Sequence, residues 1–223
     1  MKFVETILDL LFPPKCPFCG KIQDAVGVCP NCEGSLPRIP DAEALREGPD
    51  GLRCAGAVWY EGTVREALLR LKFQGGSDLA EPLGSLVARC AAEQLGGEFD
   101  TVTWVPLSRK RLRKRGYDQA ELLARSACRL WDTEPVRLLK KSMDNPAQSG
   151  LRDAAARRAN VLGVYEAVGD PAGKRVLLID DICTTGATLT ECARVLREAG
   201  AQRVVCGAVA LARQEKVHKP AIK

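Results

Sequence analysis

Apolar residues recur along this chain in two rhythms. Short unbroken runs read as buried strands, and stretches with a three-to-four-residue beat read as amphipathic helices. Residues 176–179 (Val-Leu-Leu-Ile) and 203–211 are two such runs. Between them Leu189, Cys192, Ala193, Leu196 and Ala199 mark one helical face, with Glu191, Arg194, Arg197 and Glu198 on the other and Gly200 as a stop. Together these segments predict a βαβ unit. Upstream, Ala57-Val58-Trp59-Tyr60 predicts a short strand turning at Glu61-Gly62. A helix follows from Thr63 along Val64, Ala67, Leu68 and Leu71 to Lys72-Phe73, ahead of Gly75-Gly76. Residues 78–95 predict another helix that tolerates Pro82 in its first turn, residues 102–106 a strand, and residues from Tyr117 to about Leu130 a further helix. Strands alternating with helices imply an α/β fold with a parallel sheet flanked by helices.

Other segments lack this regularity. The first twelve residues are apolar but carry Glu5 and Asp9, and no small-residue cleavage site follows, so they read as a short amphipathic helix rather than a signal peptide. Residues 33–55, with Pro37, Pro40, Gly48, Pro49 and Gly51, read as a linker. Two domains are expected: 1–50, holding helix, cysteine module and linker, and 51–223, holding the α/β unit. Residues 142–160 are polar and weakly periodic, the pattern of a lid, with Gln148, Arg157 and Asn160 as candidate contacts. The single histidine, His218, sits in a basic tail and reads as solvated.

Composition is that of an ordinary globular protein, 46% hydrophobic and 27% charged, with no run near the roughly 20 apolar residues of a membrane span. A cytoplasmic location is expected. The net charge of +5 is uneven: residues 101–160 carry 14 basic and 6 acidic side chains, whereas residues 1–50 carry 5 and 8. Polyanionic partners should therefore meet the middle of the chain.

Four of the ten cysteines form two CxxC pairs, Cys16-Pro17-Phe18-Cys19 and Cys29-Pro30-Asn31-Cys32, nine residues apart. Four thiolates in two knuckles suit a closed tetrahedral zinc site, and so short a segment needs such a staple. Disulfides or a redox CxxC are the alternatives, the first disfavoured where thiols stay reduced. The segment is net acidic with Phe18 as the lone aromatic within the knuckles, which weakens a nucleic-acid finger. Cys54, Cys90, Cys128, Cys192 and Cys206 lie singly in apolar patterns as small hydrophobes; Cys183 is also single, but abuts a candidate site.

That site begins where the strand at 176–179 ends. Asp180 and Asp181 stand at its carboxyl end, followed by Ile182, Cys183, Thr184, Thr185, Gly186, Ala187 and Thr188, and then the helix. Ligands of open α/β sheets bind beyond the carboxyl ends of strands. Acids there can hold sugar hydroxyls or hydrated Mg²⁺, and short Thr and Gly residues let backbone N–H groups wrap a phosphate at a helix N-terminus. Helix capping alone needs one such residue, and a receiver-type acidic pocket does not need the threonines. A second candidate is the basic loop expected between the strand at 102–106 and the next helix, with Arg109, Lys110, Arg111, Arg113, Lys114 and Arg115 before Gly116. Charge this dense points to an anion, pyrophosphate or nucleic-acid backbone. Lys72, ahead of the Gly75-Gly76 pair, is a further phosphate candidate.

Four hydrophobics, two acids, two spacers and Thr-Thr-Gly-Ala-Thr resemble the PRPP-binding signature of type I phosphoribosyltransferases. Over nearly the full length, the order of features resembles the ComF family of competence-associated phosphoribosyltransferase-like proteins. The paired knuckles, Lys72-Phe73-Gln74-Gly75, Val105-Pro106-Leu107, Arg111-Leu112-Arg113, Arg115-Gly116-Tyr117-Asp118-Gln119-Ala120, the Gln148/Leu151/Arg157/Asn160 group and the signature appear in sequence. Tyr117-Asp118 stands where the family usually has Phe-Asn, which puts in doubt an anion contact at 118.

The resemblance implies a type I phosphoribosyltransferase core with a small N-terminal zinc-binding module, and PRPP and Mg²⁺ as ligands. It further implies a role in DNA uptake, with single-stranded DNA and a competence helicase as partners. Two functions of different class follow. In an enzyme, a phosphoribosyl (pentosyl) transferase linked to nucleotide metabolism, Asp180 and Asp181 would meet ribose hydroxyls and Mg²⁺, residues 184–188 the 5′-phosphate, and Arg115, Gly116 and Lys72 the pyrophosphate. In a non-catalytic PRPP sensor or scaffold, the basic middle would bind DNA. No acceptor pocket is legible.

Overall fold

The computed structural model describes residues 13–25, 27–143 and 161–213. All of the expected lid at 142–160 beyond residue 143, including its candidate contacts, lies outside them, as do the expected N-terminal helix and His218.

Nearly every segment that reads as a buried run is a strand. A five-stranded sheet contains β1 (Leu45–Glu47), β2 (Arg53–Trp59), β3 (Thr101–Trp104), β6 (Arg175–Cys183) and β7 (Arg203–Leu211), in the order β1-β2-β7-β6-β3. All neighbours run parallel except β1, which pairs antiparallel with β2 as Leu45↔Ala55, Arg46↔Cys54 and Glu47↔Arg53. β4 (Leu139–Lys141) and β5 (Tyr165–Ala167) form a separate antiparallel ribbon.

β6 is apolar on both faces because both are covered, and its residues alternate between two cores. Leu177 and Ile179 join one core with Leu68, Leu71, Leu83 and Leu123. These come from α1 (Gly62–Phe73), α2 (Ala80–Leu95) and α4 (Gln119–Arg129). Val176 and Leu178 join the other with Leu189, Cys192 and Leu196 of α5 (Ala187–Glu198) and with Tyr165. β3 is therefore followed by a helix on one face and β6 by a helix on the other. A cleft must open between the carboxyl ends of these adjacent strands.

Three expectations are corrected. Residues 33–55 are not a linker: 3₁₀ turns at Asp41–Glu43 and Pro49–Gly51 and the strand β1 occupy them, and β2 starts at Arg53. Pro and Gly signal turns, and turns joining elements as short as β1 leave little apolar pattern to read. The basic stretch is not a loop but α3 (Arg109–Arg115), capped by the Ser108 hydroxyl accepting from the Arg111 N–H and ended by Gly116 at φ 85°. Its residues are good helix formers, and its outward face lets the charges solvate. Glu191, expected on the polar face of α5, is buried, accepting the Gly163 N–H at 2.8 Å and pairing with Arg194.

Candidate functional site

The N-terminal sulfurs come together first. Cys16, Cys19, Cys29 and Cys32 place their Sγ atoms within 4.8 Å of one another, and Cys19 and Cys29 are 3.7 Å apart. A tetrahedron with Zn–S bonds of about 2.3 Å has edges of about 3.8 Å, so the four thiols fit a structural zinc site and leave no open position. Burial pushes the Cys16 thiol up, but N–H groups of Cys19, Cys29 and Phe18 outweigh it and bring it down to about 6. It is thus set to bind as thiolate. Cys16 and Phe18 belong to the same core as α1, and Arg70 of α1 donates to the Pro17 carbonyl. The module is welded to the helix that carries Lys72.

At the carboxyl edge of the sheet lies a cavity of about 940 Å³ between the ends of β3 and β6. Lys72, Arg111, Lys114 and Arg115 line it, and facing them are Asp180, Asp181, Thr184, Gly186, Ala187 and Thr188. Thr185 instead lines a smaller cavity behind the loop, and its hydroxyl accepts the Ala187 N–H at 3.4 Å. Gly186 takes φ 76° as the N-cap of α5, a left-handed conformation that admits glycine cheaply. The loop thereby turns into the helix with its first N–H groups unpaired by the helix itself.

The strand's two-residue period sends the adjacent acids to opposite faces. Asp181 continues the Leu177, Ile179 row and meets α1, where Lys72 Nζ lies 2.9 Å from its Oδ1. Its Oδ2 is buried and has no hydrogen-bond partner among the described residues. Asp180 continues the Val176, Leu178 row, and its Oδ1 accepts the Asp181 N–H at 2.8 Å. Burial and the charge of Asp181 push the Asp180 carboxyl well above its usual range, against the pull of Lys72. Burial alone would lower Lys72, but the charges of Asp181 and Asp180 outweigh it and raise it. Two acids beside one ammonium suit a divalent cation or sugar hydroxyls, and the unpartnered Asp181 oxygen leaves an acceptor for such a group.

Arg115 ends α3 with its guanidinium 5.3 Å over the Phe73 ring and bonded to the Gln119 side chain. Gly116 caps the helix and does not line the cavity. Arg109, Lys110 and Arg113 are exposed and also outside it, so the basic stretch divides between cavity and solvent. Asp118 is no anion contact: it is buried, and its carboxylate accepts N–H groups of Leu107, Ala120 and Glu121.

Sequence reasoning missed Tyr165 and Lys141 of the ribbon, which line the cavity with the Lys141 ammonium 5.2 Å over the Tyr165 ring. It also missed Arg46, whose guanidinium bonds the Cys183, Thr184 and Ala212 carbonyls. No local pattern announces them, because a three-residue strand carries no readable period.

A phosphoribosyl transferase domain model matches residues 113–222 and a double zinc ribbon model residues 7–44. The chain is 31% identical over 186 residues to Competence protein ComFC of Bacillus subtilis (strain 168), covering 83% of this chain and 72% of that protein. It is 28% identical over 213 residues to Competence protein ComFC of Streptococcus pneumoniae, covering 92% and 93%. DNA utilization protein YhgH of Salmonella typhimurium is 25% identical over 200 residues, covering 85% and 86%. Fold and cavity therefore define a phosphoribosyltransferase-like protein with a zinc ribbon. Within that class the chain belongs to the ComFC family of competence proteins. Among the described residues, no helix is long and apolar enough to cross a membrane.

Proposed function

We propose that the protein binds PRPP in the cavity between β3 and β6, with Mg²⁺, and acts in the cytoplasm as a phosphoribosyltransferase in a DNA-uptake setting. The observation that carries this is the meeting of opposite chemistries in one 940 Å³ cavity: Thr184, Gly186, Ala187, Thr188 and the two acids line it together with Lys72 and Arg115. Loop N–H groups and the Thr188 side chain would hold the 5′-phosphate, where the α5 dipole is positive. Asp180 and Asp181 would hold Mg²⁺ and ribose hydroxyls; a bound Mg²⁺ would supply positive charge to the pyrophosphate oxygens. Arg115 and Lys72 would face the departing pyrophosphate, whose stabilisation is the main task in a reaction through an oxocarbenium-like state. Gly116 would fix where Arg115 ends rather than touch ligand.

Calorimetric titration of PRPP with Mg²⁺ should show binding to wild type. The Asp180→Asn/Asp181→Asn variant, checked for an unchanged fold by circular dichroism, should lose at least about tenfold in affinity, as expected when charged hydrogen-bond partners are removed. Equal binding by both proteins overturns the reading. Product analysis with PRPP, Mg²⁺ and candidate bases or amines then tests turnover.

A second reading, a scaffold that binds single-stranded DNA and meets a competence helicase, is favoured by α3. Arg109, Lys110 and Arg113 are exposed, as are Leu112 of the same helix and Phe73, whose ring lies under Arg115. Cations with an exposed aromatic suit a single strand. Replacing these three cations with Ala should reduce the salt slope of oligonucleotide binding by about 2. An unchanged slope excludes this surface.

A further inference from the structure

The geometry points to Arg46 as a positioning residue that sets the phosphate loop from behind, an inference that rests on the loop being a phosphate site. Arg46 lies on the edge strand β1 and in neither segment matched by the two domain models. Its guanidinium nevertheless reaches the carboxyl ends of both central strands. Nη1 donates to the Thr184 carbonyl at 3.0 Å and to the Cys183 carbonyl at 3.4 Å, and Nη2 donates to the Ala212 carbonyl at 2.5 Å. Three carbonyls converge on one planar, permanently charged fork, a geometry that Lys cannot match.

The consequence follows from the trans peptide. In each planar unit C=O and N–H point in opposite directions. Drawing the Cys183 and Thr184 oxygens back onto Arg46 therefore turns the N–H groups of Thr184 and Thr185 the other way. Among the described residues, the N–H groups of Thr184, Thr185 and Gly186 meet no backbone carbonyl. Free donors held in one orientation form a nest for an anion. The Ala212 bond, together with Ala212 N–H to Cys183 O at 2.9 Å, ties the end of β7 to the same frame. Arg46 does not itself line the larger cavity but the smaller one behind the loop. It acts through the peptides.

The test uses the full chain and two ligands, ribose 5-phosphate and inorganic pyrophosphate with Mg²⁺, on wild type, Arg46→Met and Arg46→Lys. Arg46→Met should weaken ribose 5-phosphate by at least about tenfold while pyrophosphate binding stays within about twofold, and Arg46→Lys should recover part of the loss. Amide ¹⁵N order parameters at Thr184, Thr185 and Gly186 should fall in Arg46→Met without ligand. A merely structural residue would lower both affinities together, and that result, or unchanged order parameters, overturns the inference. If wild type binds neither ligand, the PRPP reading fails, and the order parameters alone decide whether Arg46 holds the loop.

Discussion

Asp118 shows how one side chain can serve a site without meeting its ligand. Its carboxylate caps α4 and holds the Leu107 N–H at 2.7 Å, fixing the chain where it leaves β3 for the basic helix. Burial is the largest influence and raises it from the usual 3.8 to about 6, against the three N–H bonds that favour the charged form. Between about pH 4 and 6 the unfolded chain has released a proton that the folded chain keeps, so this residue makes stability fall as pH rises through that window. Asn can cap without titrating. Urea unfolding should therefore show Asp118→Asn gaining roughly 1 to 2 kcal/mol relative to wild type between pH 4 and 7, whereas Asp118→Ala loses about 1 kcal/mol at pH 7. A difference that does not vary with pH would refute the assignment.

At the scale of elements, the packing of α2 on α4 sets where α4 begins and hence where Asp118 and Arg115 stand. The contact is made at Gly84, where an added Cβ would lie 2.5 Å from Ser126 Cβ and 2.8 Å from the Leu123 carbonyl. Nothing in that pair of helices is a flexible tip that could give way. Gly84→Ala should cost about 1 to 3 kcal/mol in thermal or urea unfolding despite Ala's better helix propensity, and a neutral result would mean the helices stand further apart. The zinc module holds α1 in its last turn, through Arg70 to the Pro17 carbonyl, and packs on it through Phe18 in the core. Position of Lys72 against Asp181 thus depends on an element far from it in sequence.

For the molecule as a whole, the zinc module and the α/β unit share one core. Stripping zinc with a chelator should therefore do more than loosen the N-terminus. It should lower the melting temperature by several degrees, since a shift of about 1 kcal/mol moves a domain of this size by about 2–4 °C, and weaken PRPP binding through α1. Measured by differential scanning fluorimetry and calorimetry on the same sample, unchanged affinity would separate the module from the site.

What the sequence determined by itself is whatever a short period or a dense motif can carry. The runs at 176–179 and 203–211 and the face of α5 emerge because burial on two faces or one stripe leaves a period. The four knuckle cysteines and residues 180–188 emerge because metal and phosphate chemistry restrict residue type at fixed spacing. The short strand β1 and the ribbon pair of Tyr165 and Lys141 left no such trace. Tertiary structure alone decided which cations meet the cavity, because Arg111, Lys114 and Arg115 of α3 line it and Arg109, Lys110 and Arg113 do not. It also decided that Lys72 pairs with Asp181 rather than Asp180, a matter of which sheet face α1 covers. Arg46 is the clearest case. Its bonds span up to 166 residues, and a contact that long is set by how strands stack side by side, which no local pattern encodes.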